Sequence, residues 1–551
     1  MIDLHLPIDF ISNFFKNKED VKDFKQILKE IDPEQKVDIY YDRLKLQELF
    51  FNLNPQVFSS ANFRKILLES NYKSKNFIKF AEDVGIKKEE IIESNKKKII
   101  KTISNFIWGP NKQTRSFITN FQLDESLIPS DFLDNLELEE FPPAYQPYDE
   151  MFEFQSGVYH NALPLIKKND QRFIIQIPTG GGKTKIGMEL VCNELNSETN
   201  KKILWVADRR ELCEQATEAF GKVWRHKGKK KITLNRCWEN FNLISNIKGS
   251  TLIVATIDKI LSAKSKKVQI DADIIIFDEA HHASAPKYRS AIIHASKSGT
   301  RAIGLTATPG RSYEDEEENE KLSEMFDNKL LRISKTLTKN KGAIFYLQSI
   351  GVLSKPIRKP EIIIPTKNFL KKIFTDKELE KLEKKTDYSL KDLEKIGKNH
   401  VRNIIIINKL VEIAKTKKQI LFFGTTVAQS RLMYAAMKHL GFSGAHIDAN
   451  TVTEFRRESI QKFKKSKIQI LFNNQVLATG FDAPSVEVLF IARPTKSPVL
   501  LLQMIGRGMR GENVGGTKTF DLYYVKDGIF DKFQNLDELF EMFAVYFEEN
   551  D

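Results

Sequence analysis

The chain has 551 residues, with 86 Lys and Arg against 73 Asp and Glu, a formal net charge of +13 and 41% apolar residues. That length allows two to four domains with sizeable cores, and the positive balance suits a polyanionic partner. Its cysteines, Cys192, Cys213 and Cys237, form no CxxC pair, which argues against a disulfide framework or zinc site and fits a reducing cytoplasm.

The opening residues, MIDLHLPIDFISNFF, lack a cationic start and a continuous apolar core, so no signal peptide is expected. No stretch is long and apolar enough to span a membrane. Residues 1 to about 140 read as short amphipathic helices, as in VKDFKQILKEI and NFRKILLES, where apolar residues recur three and four apart. LQELFFNLNPQVF is aromatic at Phe50, Phe51 and Phe58. The proline-rich EFPPAYQPYDE marks a boundary, so a helical accessory domain is predicted over 1–144.

Beyond it, short apolar, β-branched runs alternate with helical patterns: KKILWVA, STLIVAT, ADIIIFD and TRAIGLTA. Such runs form parallel sheets covered on both faces. An acidic stretch, SYEDEEENEKL, reads as an exposed loop or helix start, and a lysine-rich helical segment from Asn328 to about Asn399 bridges to a second α/β pattern. That pattern contains KQILFFGTT, GAHIDA, IQILFNN, VEVLFIARP and KTFDLYYV. The expected fold class is therefore α/β with two parallel-sheet domains, over 145–345 and 346–551, the second including the helical linker.

QIPTGGGKTKIG, from Gln176 to Gly187, carries three consecutive glycines before Lys and Thr. Without Cβ atoms the chain can curl so that its N–H groups converge on an anion. A strand precedes it and a helical pattern follows, the context of a phosphate-binding loop. Thr179, Gly180, Gly181 and Gly182 would cradle phosphate, Lys183 would reach the β and γ phosphates, and Thr184 would bind Mg²⁺. The position where the usual pattern opens with Gly or Ala holds Ile177.

In IIIFDEAHHA, Asp278 and Glu279 follow a buried strand, where α/β sheets present catalytic groups. Asp278 would hold Mg²⁺, and Glu279 would orient and deprotonate an attacking water. His281 is assigned to coupling with the other lobe and His282 to packing. KVWRHKGKKK, from Lys222 to Lys231, is the densest basic run. Its Trp224 is a candidate for stacking on a base, with a solvated loop as the alternative.

PTGGGKT, VADRRELCEQ, VATIDKI, DEAH, LTATP, ATGFDAPSVE and QMIGRGMR occur in this order. The set resembles superfamily 2 helicases of the DEAD/DEAH-box type, and within them the motors of type I and type III restriction enzymes and RadD-like helicases. That resemblance implies two RecA-like lobes, ATP with Mg²⁺, and a nucleic-acid partner, DNA by preference and RNA as the alternative. It implies an ATP hydrolase that moves along nucleic acid, as the motor of an antiviral defence or restriction system. Alternatives are a repair helicase and a nucleotide-switched recognition subunit.

Residue by residue, the resemblance assigns Gln155 to reading adenine, with Phe152 or Phe154 against the ring and Gln146 as a competitor. Thr306 and Thr308 would couple the nucleotide to nucleic-acid grip. Arg209, Arg210, Thr256 and Thr479 would face the nucleic-acid backbone. Gly480, Asp482 and Gln503 would join the nucleotide site. Arg507 and Arg510, three apart, would share a helix face and act as arginine fingers. The N-terminal region would dock a protein partner, such as a nuclease or sensor subunit, or recognise a particular DNA structure.

Overall fold

The structure is a computed structural model, described at residues 58, 60–108, 111–121, 123, 138–141, 148–197, 200–244, 247–310, 316–360, 362–363, 369–385, 387–448, 451, 453–474, 486–526 and 536–549. Phe50, Phe51, Gln146, Thr479, Gly480 and Asp482 lie outside these residues.

The described N-terminal part consists of four short helices, α1 (Ala61–Ser70), α2 (Lys75–Asp83), α3 (Lys96–Ser104) and α4 (Lys112–Asn120), with two single-turn 3₁₀ segments. Ser60, Ser74 and Asn111 cap α1, α2 and α4 by accepting a backbone N–H with their side chains, which satisfies donors a short helix otherwise leaves orphaned. Their apolar faces meet around Phe77, Phe80, Phe117 and Phe121. Arg64 ties this core together. Its buried guanidinium donates to the carbonyl oxygens of Ser104 at 3.2 Å, Phe58 at 2.7 Å and Phe106 at 2.6 Å, and lies 4.3 Å from the Phe106 ring centroid. Burial pushes its pKa down to about 10.

The first lobe is a nine-stranded sheet in the order β1-β4-β5-β3-β6-β7-β2-β8-β16. Its strands are β1 (Leu138–Phe141), β2 (Arg172–Gln176), β3 (Lys202–Ala207), β4 (Ile232–Cys237), β5 (Thr251–Thr256), β6 (Ala272–Asp278), β7 (Ser296–Thr306), β8 (Lys329–Leu331) and β16 (Glu548–Glu549). All pairs are parallel except β1 with β4. The central strands are buried on both faces, which explains their unbroken Val/Ile/Leu character. Helices α5 (Glu153–Ile166), α6 (Lys183–Ser197) and α7 (Arg210–Lys227) follow or precede them.

The second sheet orders as β10-β15-β14-β11-β13-β12, with β9 also on β15. Its members are β9 (Lys355–Arg358), β10 (Ile362–Ile363), β11 (Ile420–Phe423), β12 (Gly444–Ile447), β13 (Ile470–Asn473), β14 (Val488–Ile491) and β15 (Thr519–Lys526), all paired in parallel. Around it lie α8 (His400–Ala414), α9 (Val427–His439), α10 (Thr453–Lys464) and α11 (Pro498–Gly506). The two expected parallel-sheet α/β domains are both present.

Two segments cross the boundaries expected at 144 and 346. β1 lies before residue 145 yet pairs with β4 of the first sheet. At the other end α12 (Leu536–Glu541) and β16 return to the first lobe. There β16 pairs with β8, and Gln176 Nε2 donates to the Phe540 carbonyl at 2.8 Å. The N-terminal helices belong to one contiguous buried cluster with α8 and the face of the second sheet that carries Ile420, Phe422 and Phe472.

Candidate nucleotide site between the lobes

Strand order brings β6, β7 and β2 side by side, so the segments after their C-terminal ends converge. These carry Asp278–Glu279, Thr306–Thr308 and the glycine loop. Each glycine of that loop has its own reason. Gly180 and Gly182 adopt φ of +88° and +86°, which side chains other than glycine rarely tolerate. A Cβ on Gly181 would lie 2.6 Å from Cγ2 of Ile177, and one on Gly182 would lie 2.3 Å from Nε2 of Gln155. Ile177, the departure from the usual pattern, is fully buried and fills the space that Gly181 leaves.

Gln155 is buried on the first turn of α5. Its Nε2 donates to the Gly181 carbonyl at 2.9 Å, and its Oε1 accepts from the Phe152 N–H at 3.0 Å. Both ends of the amide are thus held against the loop. Phe154 is buried in the core while Phe152 stays half-buried, stacked on it at 5.9 Å, so Phe152 is the ring left to meet a ligand.

Lys183 opens α6, and its Nζ lies 3.8 Å from Glu279 Oε1. Glu279 takes a left-handed backbone, φ 53° and ψ 53°, a conformation that is uncommon for a non-glycine residue and strained at functional sites. Burial opposes ionisation of Glu279, but Lys183, then His281 and Arg507, hold it below the usual carboxylate range. Asp278 moves the other way. Burial, and then the charge of Glu279, push it up to about 7 against the pull of Lys183 and Arg507. Of the two neighbouring acids, Glu279 is thus held ionised and Asp278 is pushed toward its protonated form.

From Glu279 a polar chain crosses to the second lobe. His281 Nδ1 lies 3.4 Å from Glu279 Oε2 and 3.2 Å from Thr306 Oγ1. Thr306 Oγ1 donates to the Thr308 carbonyl at 3.0 Å and accepts the Thr308 N–H at 3.1 Å. On the far side of the ring, His281 Nε2 meets Gln503 Nε2 of α11 at 3.4 Å. Burial, then His282, push the His281 pKa down to about 3, so the ring is neutral and one nitrogen can accept. His282 packs beside Tyr288, with centroids 6.1 Å apart.

Three sequence expectations change. Arg507 and Arg510 do not share a helix face, because α11 ends at Gly506 with Arg507 as its C-cap. Arg510 bridges Leu353 in extended backbone, and its Nε donates to the Val514 carbonyl at 2.5 Å. Arg507 acts on both Asp278 and Glu279, beside Lys183. Trp224 cannot stack on a base: it is fully buried in the first lobe, against Phe220 at 5.5 Å. Helical spacing puts it on the apolar face of α7. Arg210 donates to Glu214 at 2.7 Å and Glu239 at 2.5 Å within its own lobe. Arg209 remains half-exposed, and half-buried Thr256 stands at the start of the helix after β5 without a capping hydrogen bond from its side chain.

Contacts between segments far apart in the chain seat the second lobe here. A Cβ on Gly506 would lie 2.5 Å from Cγ2 of Thr179, and one on Gly180 3.0 Å from Leu353 Cδ2. Ser354 N–H donates to the Met509 carbonyl at 2.8 Å, fixing the turn that carries Arg507. Arg456 of α10 pairs with Glu211 of α7. None of these has a local sequence signal, because each partner lies in a distant segment.

Residues 149–311 match the family Type III restriction enzyme, res subunit, and residues 402–512 match the Helicase conserved C-terminal domain. The chain is 28% identical over 370 residues to the putative ATP-dependent helicase IRC3 of Saccharomyces cerevisiae, covering 65% of this chain and 49% of that protein. It is 23% identical over 416 residues to the type I restriction enzyme EcoKI endonuclease subunit of Escherichia coli K12, covering 65% and 33%. It thus spans half or less of the length of these two relatives. A solved type ISP restriction-modification enzyme, LlaBIII bound to DNA, covers 73% of this chain and 30% of its own at 15% identity and a TM-score of 0.48. The chain resembles superfamily 2 helicases, with restriction-enzyme subunits among its relatives.

Proposed function

We propose that this chain, with its two helicase domains, hydrolyses ATP between the lobes and uses the cycle to move along nucleic acid, DNA being the favoured substrate. The observation that carries this reading is the polar chain from Lys183 through Glu279 and His281 to Gln503. It joins the group that would touch the γ-phosphate to a helix of the other lobe, so a change at the phosphate changes a contact between lobes. A simple nucleotide-binding protein has no need of that link. The favour for DNA rests on the likeness to restriction-enzyme subunits.

Thr184 and Asp278 suit Mg²⁺, which takes hard oxygen ligands from one or two protein groups and otherwise keeps water and phosphate oxygens. Asp278 ends β6 and Thr184 stands on the first turn of α6 directly after the glycine loop, so both could offer oxygens beside the phosphates. Mg²⁺ would supply charge neutralisation on the phosphates. The residues do the rest. Lys183 clamps the phosphates and Glu279 takes the proton from the attacking water. Arg507, on its turn from the second lobe, meets the charge that develops on the γ-phosphate oxygens.

The test is ATP turnover measured in parallel with single-stranded DNA, duplex DNA and RNA. Stimulation by DNA above RNA is expected. Turnover indifferent to all three would sink the motor reading, and stimulation by RNA alone would sink the substrate assignment. A partner protein such as a nuclease, and a role in defence, belong to the same reading. Among the described residues no helix is long and apolar enough to cross a membrane.

A further inference from the structure

We propose that the N-terminal helices form a phosphate-backbone grip carried by the second lobe, centred on Lys97, Lys98 and Lys101 of α3. The proposal rests on the nucleic-acid reading above. Residues 58–123 contain 13 Lys and Arg against 6 Asp and Glu, a net +7 in a chain of +13. Such a concentration repels itself and disfavours the compact state unless a polyanion meets it.

The distribution is ordered by the fold. Along α3, Ile99, Ile100 and Ile103 point into the core, while Lys97, Lys98 and Lys101 are exposed. Spacings of three and four put those lysines on one face. Among the described residues none of the three forms an ion pair, and the acid nearest in sequence, Glu93, is already shared by Lys73 at 3.8 Å and Lys96 at 3.5 Å. Exposed Lys79 and Lys112, on α2 and α4, act on a single carboxylate, Asp83, which Ser116 and Asn120 already hold by hydrogen bonds at 2.5 and 2.7 Å.

The chemistry favours a nucleic-acid backbone over other anions. A helix built for a lipid surface sets large apolar residues at the interface beside its lysines, whereas those of α3 are buried. Protein interfaces favour aromatic residues and arginine and are depleted in lysine. Backbone contacts need cations without base-reading geometry, which exposed Lys97, Lys98 and Lys101 supply. The shared buried cluster with α8 and the second sheet means that the grip moves with the second lobe. A strand held there shifts relative to Lys183 whenever the lobes move.

The test is a full-length triple variant, Lys97→Glu, Lys98→Glu and Lys101→Glu, beside a charge-matched control at exposed Lys415, Lys417 and Lys465 of the second lobe. Binding to a fluorescent duplex and a single strand is measured without nucleotide over a salt series. At low salt the grip variant should lose at least ~10-fold in affinity. Its salt slope should fall by about 2, as expected for three lost phosphate contacts at roughly 0.7–0.9 each. The control should lose far less. Turnover without nucleic acid should stay at the parent level in both variants. That also separates the two readings, because loss of the grip leaves turnover intact and failure of the motor reading leaves binding intact. Equal losses in both triples, or unchanged affinity and slope in the grip variant, overturn the proposal. Retention on anionic vesicles that falls while nucleic-acid binding holds does so as well.

Discussion

Environment alone drives the two carboxyls at the end of β6 apart in protonation. Glu279, beside Lys183, stays ionised, while buried Asp278 is raised. Glu279→Gln should therefore bind ATP and slow hydrolysis by about 10²–10⁴-fold, the usual contribution of a general base. Single-turnover measurement with radiolabelled ATP reads this, and unchanged hydrolysis would remove Glu279 from the role. Arg507→Ala should keep ATP affinity and slow the chemical step by roughly 10³–10⁵. The matching Arg510→Ala should act instead through loss of the hydrogen bond from its Nε to the Val514 carbonyl, visible as reduced stability. If the two variants behave alike in single turnover, the separation of roles fails.

A second residue-scale prediction concerns acid. Burial, opposed by Asp448, pushes the His446 pKa down to about 3. The folded value lies below the unfolded one near 6.5. The unfolded chain therefore binds more protons in that window, and stability falls as the pH drops below about 6.5 toward 3. Above 6.5 His446 contributes no slope. His446→Gln should flatten this part of the curve of denaturation midpoint against pH, and an unaltered curve would show that other groups set it.

At the scale of elements, Arg64 shows how a helical module too small for a large core holds its shape. Replacing it with Met keeps volume but leaves the carbonyls of Phe58, Ser104 and Phe106 without their donor. Loss of a buried, multiply bonded cation costs on the order of 3 kcal/mol. Hydrogen exchange should show α1, α3 and α4 opening while the sheets keep their protection. The glycine loop is the second such element. Gly182→Ala would press a methyl group into Gln155, and should weaken ATP binding with little effect on global stability.

On the scale of the whole molecule, the return of α12 and β16 to the first lobe ties the chain's two halves together. Leu539, Phe540 and Phe543 are buried there, Arg332 pairs with Glu541 at 2.6 Å, and a Cβ on Gly310 would lie 2.0 Å from Phe543. Deleting residues from 536 onward should lower the thermal midpoint of the first lobe by roughly 5–10 °C, from the burial lost and the usual ratio of midpoint to stability change. A midpoint within 1–2 °C of the parent would mean that the segment adds nothing to that lobe's stability.

The strands, the glycine loop and the acidic pair were legible in the sequence because they are local. A buried parallel strand needs an apolar run, a phosphate loop needs glycine at positive φ, and both show in a few consecutive residues. Gln155 and His281 were legible too, from their distance to those motifs. Tertiary structure decided what depends on residues far apart. It turned Trp224 inward, set Arg210 against Glu239, and ended α11 before Arg507. It laid the N-terminal helices on the second lobe and carried the last strand back to the first. Periodicity tells which face of an element is apolar, but not which distant surface will cover it. The pairing of those surfaces is a property of the whole chain.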